Sequence, residues 1–311
     1  MGRKSKDTNA SRAAELQDEL EQAQQDVLEH VAASPRTVGD HLRFTADSSL
    51  ADLDPHDAPG IHGGKLEGQE ALAAGAERLS ALQERLYAEG KGGGTRSVLL
   101  VVQGMDTSGK GGIVRHVVGS CDPQGVDHTT FKAPTPVERE HDFLWRVRPR
   151  LPAPGMIGVF DRSHYEDVLV VRVHDLVPRQ VWQRRYDAIN RFEKSVVGKG
   201  TTVIKVMLHI SSGEQRVRLA ERLDRPDKHW KYHPGDVTER ERWADYQTAY
   251  DVALRRCSTE QAPWFVVPAD RKWYARWAVQ QLLIDHLEQL DLQWPVADFD
   301  VEQEKARLAA T

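Results

Sequence analysis

The sequence predicts an α/β protein built on a doubly wound parallel sheet, and three observations carry that prediction. Short apolar runs recur at Ser97-Val-Leu-Leu-Val-Val102, Met156–Phe160, Thr202–Leu208 and Trp264–Val267. They are continuous rather than alternating, as strands buried on both faces require. Helical segments follow them, at about 110–118, 136–148, 164–173, 178–197, 213–223, 237–256 and 270–290, and strands that alternate with helices build βαβ units. A glycine-rich turn, Gly104-Met-Asp-Thr-Ser-Gly-Lys110, joins the first run to its helix.

Taken in order, residues 1–35 are polar, with Leu16, Leu20, Ala23, Val27 and Val31 at helical spacing. A helix over about 11–32 is expected there, packed on the body or a second subunit, or else a solvated arm. Residues 35–65 are rich in Asp, Pro, Gly and His and read as an irregular connector. A helix over about 67–88 follows, with Leu72, Leu79, Leu82 and Leu86 on one face, and Gly90–Gly94 ends it. Residues 1–94 thus form an N-terminal extension with helices, 95–292 the α/β domain, and 293–311 a C-terminal tail. A weaker strand is expected at His128–Phe131.

The chain's 311 residues, 40% of them hydrophobic and 29% charged, describe an ordinary soluble protein with ample material for a core. The net charge of -5 gives no argument for nucleic acid, although local clusters can still bind anions. No apolar run suits a membrane span, and the Met1–Asp7 start has no apolar stretch after it, so it is no secretory signal. Lys6 also breaks the myristoylation pattern that Met-Gly opens. Cys121 and Cys257 form no metal-binding spacing and read as reduced thiols of a cytoplasmic protein.

The turn after the first strand fits the phosphate-loop pattern. Gly104, Gly109 and Gly111 let the backbone curl several N–H groups around one anion, the helix start adds its positive end, and Lys110 reaches the phosphate oxygens. Position 111 is glycine, where Ser or Thr normally offers a hydroxyl to magnesium. The metal then needs another ligand. Asp106 inside the loop is one candidate, as ligand or as orienter of the attacking phosphate; the alternative is a turn-forming Asp. Asp161 ends the Met156–Phe160 run, and the carboxyl ends of parallel strands face the ligand crevice, so it is the second candidate ligand. Arg162 would contact phosphate. Ser163 reads as a helix cap, with Glu166 completing a capping box.

Residues 214–242 are dense in charge. A solvated face is the ordinary explanation. However, Arg218, Arg222 and Arg225 share a helical face, and acids are not spaced to neutralise all three. Pro226 and Pro234-Gly235 break the helices as a hinged lid over about 213–242 would require. Lys132 and Arg172 lie near element ends from which they can line the same crevice. The tryptophans read as packing residues, Trp230 beside the lid least clearly.

Several blocks together resemble the polyphosphate kinase type 2 family: Gln103–Gly112, Asp122-Pro-Gln-Gly125, Phe131-Lys-Ala-Pro-Thr135, His141–Trp145, Phe160–Leu169 and Cys257–Trp264. The likeness runs from about Ala51 to Leu290. It implies a P-loop kinase fold with a helical lid, and magnesium-dependent transfer of the terminal phosphate of polyphosphate to a nucleoside mono- or diphosphate. Manganese is the expected substitute metal and a dimer or tetramer the expected assembly, in the cytoplasm. By the same resemblance Asp106, Lys110, Asp161 and Arg162 are the catalytic set, with Asp106 and Asp161 on the metal. Glu166 and Asp167 lie on the nucleotide side. Lys132, Arg172, Arg222 and Lys231 line the phosphate channel or lid; the helix-face spacing, not the resemblance, adds Arg218 and Arg225. Two positions depart from the family's pattern: many members have Ala-Ala at Thr107-Ser108 and Asp at Gly111. An ATP-dependent metabolite kinase and a non-catalytic polyphosphate- or nucleotide-binding regulator are the competing readings.

Overall fold

The computed structural model describes residues 37–311. Five strands form one all-parallel sheet: β1 (Ser97–Gly104), β2 (Val126–Thr130), β3 (Ile157–Asp161), β4 (Thr201–His209) and β5 (Trp264–Pro268). They lie in the order β2-β3-β1-β4-β5. β1 is therefore central and buried at every residue, which explains its unbroken apolar sequence. β2 is an edge strand paired only with β3 and largely exposed, so its polar Val-Asp-His-Thr-Thr sequence carries a faint signal.

Helices clothe both faces of this sheet. They are α1 (Val38–Leu42), α2 (Lys65–Lys91), α3 (Lys110–His116), α4 (Pro136–Arg139), α5 (Val170–Val173), α6 (Arg179–Val197), α7 (Ser212–Asp224), α8 (Gly235–Glu241), α9 (Trp243–Cys257), α10 (Lys272–Gln289) and α11 (Val301–Ala309). α2 lies directly against α10: a Cβ at Gly68 would collide with the Trp273 ring. The expected helix over 11–32 lies outside the described residues. Cys121 and Cys257 are free and buried, and burial pushes their thiols up to about 11 and about 12.

Four expectations need correction, one of them the helix over 164–173, which is a 3-10 turn at His164–Asp167 and a single α turn, α5. The segment expected to be an irregular connector is bound into the core. Val38, Leu42, Phe44 and Leu50 are all buried, and the Phe44 N–H donates to Trp264 O at 2.8 Å, extending the β5 edge. Its four apolar anchors lie too far apart to show a period. The helix expected over 136–148 is a single turn, α4, capped by Thr135. Beyond it the Asp142 carboxylate accepts from the Leu144 N–H at 3.0 Å, a local turn that competes with helix. The helix expected over 237–256 is broken at Arg242, whose ψ of 19° departs from helical geometry and separates α8 from α9.

Candidate active site

The site forms where the carboxyl ends of β1 and β3 stand side by side, with Val102 in register with Asp161. β1 ends at Gly104, whose φ of 152° and 2.8 Å clearance from a virtual Cβ to Leu208 O leave room only for glycine. The loop then turns through Thr107 at φ 64°, an unusual conformation for a β-branched residue, and enters α3 at Lys110. Such strain persists only where neighbours hold it, and Arg218 is the main holder. Its Nη1 donates to Thr107 O at 2.9 Å and Ser108 O at 3.1 Å, and its Nη2 to Ala269 O at 2.6 Å and Asp270 O at 2.8 Å. Its Nε pairs with Glu214 at 2.7 Å. Gln215 adds a bond from Nε2 to Asp106 O at 3.0 Å.

Inside the loop, Asp106 Oδ1 accepts from Arg162 Nη2 at 2.8 Å. Burial pushes the Asp106 carboxyl up, but Lys110, Arg162 and Arg222 outweigh it and hold it below the ordinary carboxylate range. It is ionised at neutral pH. Lys110 Nζ donates to Gly104 O at 2.7 Å and Met105 O at 3.2 Å, and burial holds it below an ordinary lysine, against the pull of Asp106. Arg162 takes a left-handed backbone, φ 62°, directly after Asp161. Burial acts against its charge, yet Glu166, Asp106 and Asp161 together raise its pKa, so it remains a cation. Glu166 Oε1 accepts from Gln103 Nε2 at 3.0 Å. Asp106, Lys110, Asp161, Arg162 and Glu166 are thus one electrostatic cluster.

The capping box expected at Ser163 is half present. Ser163 Oγ accepts from the Tyr165 N–H at 3.1 Å, but the turn His164–Asp167 is 3-10 and Glu166 bonds to Gln103 instead. Asp167 faces another way: it pairs with Arg185 Nη1 at 2.8 Å, although burial leaves its carboxyl above the ordinary range.

The basic residues separate into groups. Arg218, expected to bind polyphosphate, has its hydrogen-bond donors committed within the protein. It is 4% exposed and its donors are all used beneath the loop, so it is a buttress. The three lid arginines also have acidic partners after all. Arg218 has Glu214, Arg222 has Asp236 at 3.3 Å, and Arg225 has Asp227 at 2.7 Å. The last two acids come from the following segments, which sequence spacing within one helix does not reveal. Arg172 stacks on Trp182 at 4.8 Å and donates to the Tyr186 hydroxyl at 3.2 Å, a packing role beside α6. Lys132 is exposed, and its carbonyl accepts from Arg146 Nη1 at 2.8 Å. Lys231 lies over the exposed Trp230 ring at 4.8 Å.

The Arg222 and Lys231 side chains line a cavity with Thr107, Ser108 and Gly109 of the loop. Lys228, Lys272 and Arg276, which sequence reasoning left unassigned, line it too. Lys272 and Arg276 start α10, whose apolar pattern masks two outward cations. Gly111 lies at the helix start, where a Cβ would meet nothing within 4 Å.

Magnesium suits this donor set. Asp106 and Asp161 are hard oxygen donors, and Thr107 Oγ1 and Ser108 Oγ lie buried in the loop without a hydrogen-bond partner among the described residues. Among those residues no three His, Cys, Asp or Glu side chains converge, so the protein's carboxylates alone would not enclose the ion.

A phosphate loop after the central strand, a second acidic strand end and a cationic cap define a P-loop phosphotransferase. The comparisons with known proteins narrow this. The family model for polyphosphate kinase 2 matches residues 64–295. The AMP/ADP-polyphosphate phosphotransferase of Meiothermus ruber is 49% identical over 246 residues, 79% of this chain and 91% of that protein. The ADP-polyphosphate phosphotransferase of Rhodopseudomonas palustris is 42% identical, over 73% of this chain and 81% of that protein. A crystal structure of polyphosphate kinase 2 from Arthrobacter aurescens TC1 superposes with a TM-score of 0.87 at 55% identity, covering 89% of this chain and 98% of that one. The chain belongs to the polyphosphate kinase 2 family and has its P-loop kinase-like fold. No helix among the described residues is long and apolar enough to cross a membrane.

Proposed function

We propose that the protein transfers the terminal phosphate of inorganic polyphosphate to AMP or ADP by direct in-line attack. The cavity on the loop carries this reading. Six basic side chains line it (Arg218, Arg222, Lys228, Lys231, Lys272 and Arg276) against one acid, Glu221. Burial and then Arg218 hold Lys272 below an ordinary lysine; burial and then Arg115 and Arg218 do the same to Arg276. The six cations outnumber their acidic partners Glu214, Glu221 and Asp236, so the array keeps surplus positive charge that suits a polyanion. No aromatic side chain among the described residues lines the cavity, which favours a phosphate chain over a stacked purine base there.

In this reading Lys110 and the lid cations bind the donor's end phosphates, and the acceptor phosphate enters from the Asp161–Arg162 side. The attacking oxygen is already ionised, so no protein nucleophile is needed. Arg162 and Lys110 stabilise the charge on the equatorial oxygens of a loose transition state. Asp106, fixed by Arg162 and by Gln215 on its carbonyl, orients the pair. Magnesium on Asp106 and Asp161 would neutralise the repulsion between the two anions, and manganese would serve in its place. The lid excludes water and limits hydrolysis. Because the reaction joins phosphate to phosphate, it runs in both directions, and GMP and GDP meet the same chemistry.

The deciding experiment incubates the protein with polyphosphate and magnesium, separately with AMP, ADP, GMP and GDP, and identifies the products. ATP from ADP with no other donor is the expected result. No nucleotide product from any of the four overturns the reading.

A further inference from the structure

The turn that carries Arg162 and Glu166 rests on buried charge that does not enter the crevice. Lys205 of β4 is 0% exposed and uses all three ammonium hydrogens. They go to Glu193 Oε2 at 2.6 Å, the Tyr165 hydroxyl at 2.9 Å and Cys257 O at 2.6 Å. The Tyr165 hydroxyl donates in turn to Glu193 Oε1 at 2.8 Å, and His164 Nε2 lies 3.2 Å from the same oxygen. His164 Nδ1 has no partner among the described residues, so the ring hydrogen belongs on Nε2 and points at Glu193. The ammonium also lies 5.4 Å from the Tyr165 ring centroid and 5.3 Å from that of Trp264, and the two rings meet edge to face at 4.7 Å.

A buried ion pair is weak evidence for a stabilising role, because apolar residues of the same volume often do as well. This one is notable for what it ties together. It joins β4, α6 and the end of α9 to His164 and Tyr165, two and three residues after Arg162. Arg162 is left-handed at φ 62°, a conformation that survives only where its surroundings over-determine it. On its near side the Arg162 N–H donates to Val102 O at 3.0 Å. On its far side the bonds to Glu193 hold His164 and Tyr165 from within the core, beside the Gln103–Glu166 and Arg185–Asp167 contacts.

We propose that Lys205 and Glu193 are positioning residues for phosphoryl transfer: they pin His164 and Tyr165 so that Arg162 faces Asp106 and Glu166 faces Gln103. The proposal rests on the phosphotransferase reading of the crevice. Displacing a reacting group by about 1 Å can cost about a hundredfold in rate. Loss of the pin therefore lowers turnover and leaves substrate affinity nearly unchanged.

The test is the double variant Lys205→Met/Glu193→Leu, which removes both charges together and so avoids leaving either one buried alone. Melting temperature, kcat and the KM for polyphosphate and for ADP are measured beside the parent protein. The expected result is a cooperative melt near that of the parent, kcat lower by about tenfold or more, and both KM values within about threefold. A folded double variant with parental kcat overturns the proposal, as does a change confined to KM. If the double variant does not fold, Tyr165→Phe decides. It keeps the ring against Trp264 and loses only the hydroxyl, and a several-fold fall in kcat at unchanged KM is expected; parental kcat overturns the proposal. An inactive parent protein would instead overturn the functional reading itself, so the two failures are distinguishable.

Discussion

Two carboxylate–cation pairs flank the turn after β3, and they differ in what surrounds them. Asp106 and Arg162 meet at 2.8 Å with side chains 27% and 42% exposed. Glu193 and Lys205 meet at 2.6 Å with side chains 3% and 0% exposed. The first pair sits at the crevice mouth, where a phosphate or a metal can exchange partners with it. The second is sealed, so it can only hold its neighbours still. In the proposed reading, similar chemistry thus serves reaction on one side of the turn and geometry on the other, with exposure deciding which.

The largest effect should come from the open pair. Asp106→Asn keeps the shape and an acceptor for Arg162 but removes the charge that faces Lys110 and would hold the proposed metal. We expect kcat to fall by about 10³-fold, the scale of losing one preorganised electrostatic contact at a reacting centre. The melting temperature should stay close to parental, which a steady-state assay and a thermal melt check together. Near-normal turnover would remove Asp106 from the metal and orienting role.

Arg218 is the next position to break, since it holds the loop that holds Asp106. Arg218→Met strands four carbonyls and Glu214, and losing one partner of such a buried charged network costs about 3–5 kcal/mol. Urea denaturation should show that loss, with activity falling because the loop drifts. A stable Arg218→Met that loses only polyphosphate affinity would restore the view that this arginine is a ligand.

This arginine also shows how far the sequence could be read. Spacing placed Arg218, Arg222 and Arg225 on one helical face; Arg218 and Arg222 do lie on α7, but Arg225 caps its end in extended conformation, and spacing carries no depth. Depth depends on what packs over the helix, here the phosphate loop and the end of β5. Strands β1, β3, β4 and β5 and the phosphate loop were legible because a buried strand is apolar over most of its length and a phosphate cradle must contain glycine. Gln103, Gln215, Lys272 and Arg276 were not, because nothing local distinguishes a polar side chain that supports a site from one in solvent. Lys205 was hidden inside an apolar run, Val203-Ile-Lys-Val-Met207, where its charge read as noise. A charged residue within a central strand was the signal available, since such a residue must have a partner.

The sealed pair has its own signature in pH. Burial pushes Glu193 up, but Lys205 and His164 outweigh it and leave its carboxyl below the ordinary glutamate range. Its folded pKa is therefore lower than its unfolded one. The stability it contributes is fully present above the ordinary glutamate range, and is lost as pH falls from there through the depressed folded value. On acidification through that window the parent's melting temperature should therefore fall relative to that of Lys205→Met/Glu193→Leu, which has no such carboxylate. A constant gap between the two curves would mean that Glu193 is not held ionised by its partners.

The smallest effect is expected at Gly111, and it sharpens the same contrast between open and sealed positions. A Cβ there meets nothing within 4 Å, and the residue is the second of α3, so neither sterics nor backbone geometry requires glycine. Gly111→Ser should fold normally and gain no more than about 1 kcal/mol, the helix preference of a residue with a side chain over glycine. The new hydroxyl would stand where phosphate loops usually present one to magnesium. If Asp106 and Asp161 already supply the protein's share of ligands, turnover should change less than about threefold, with a lower magnesium requirement as the only trend. A large rise in kcat would show instead that the crevice is short of a ligand, and that Asp106 orients phosphate without holding metal. Magnesium titrations of activity, parent against variant, separate these outcomes.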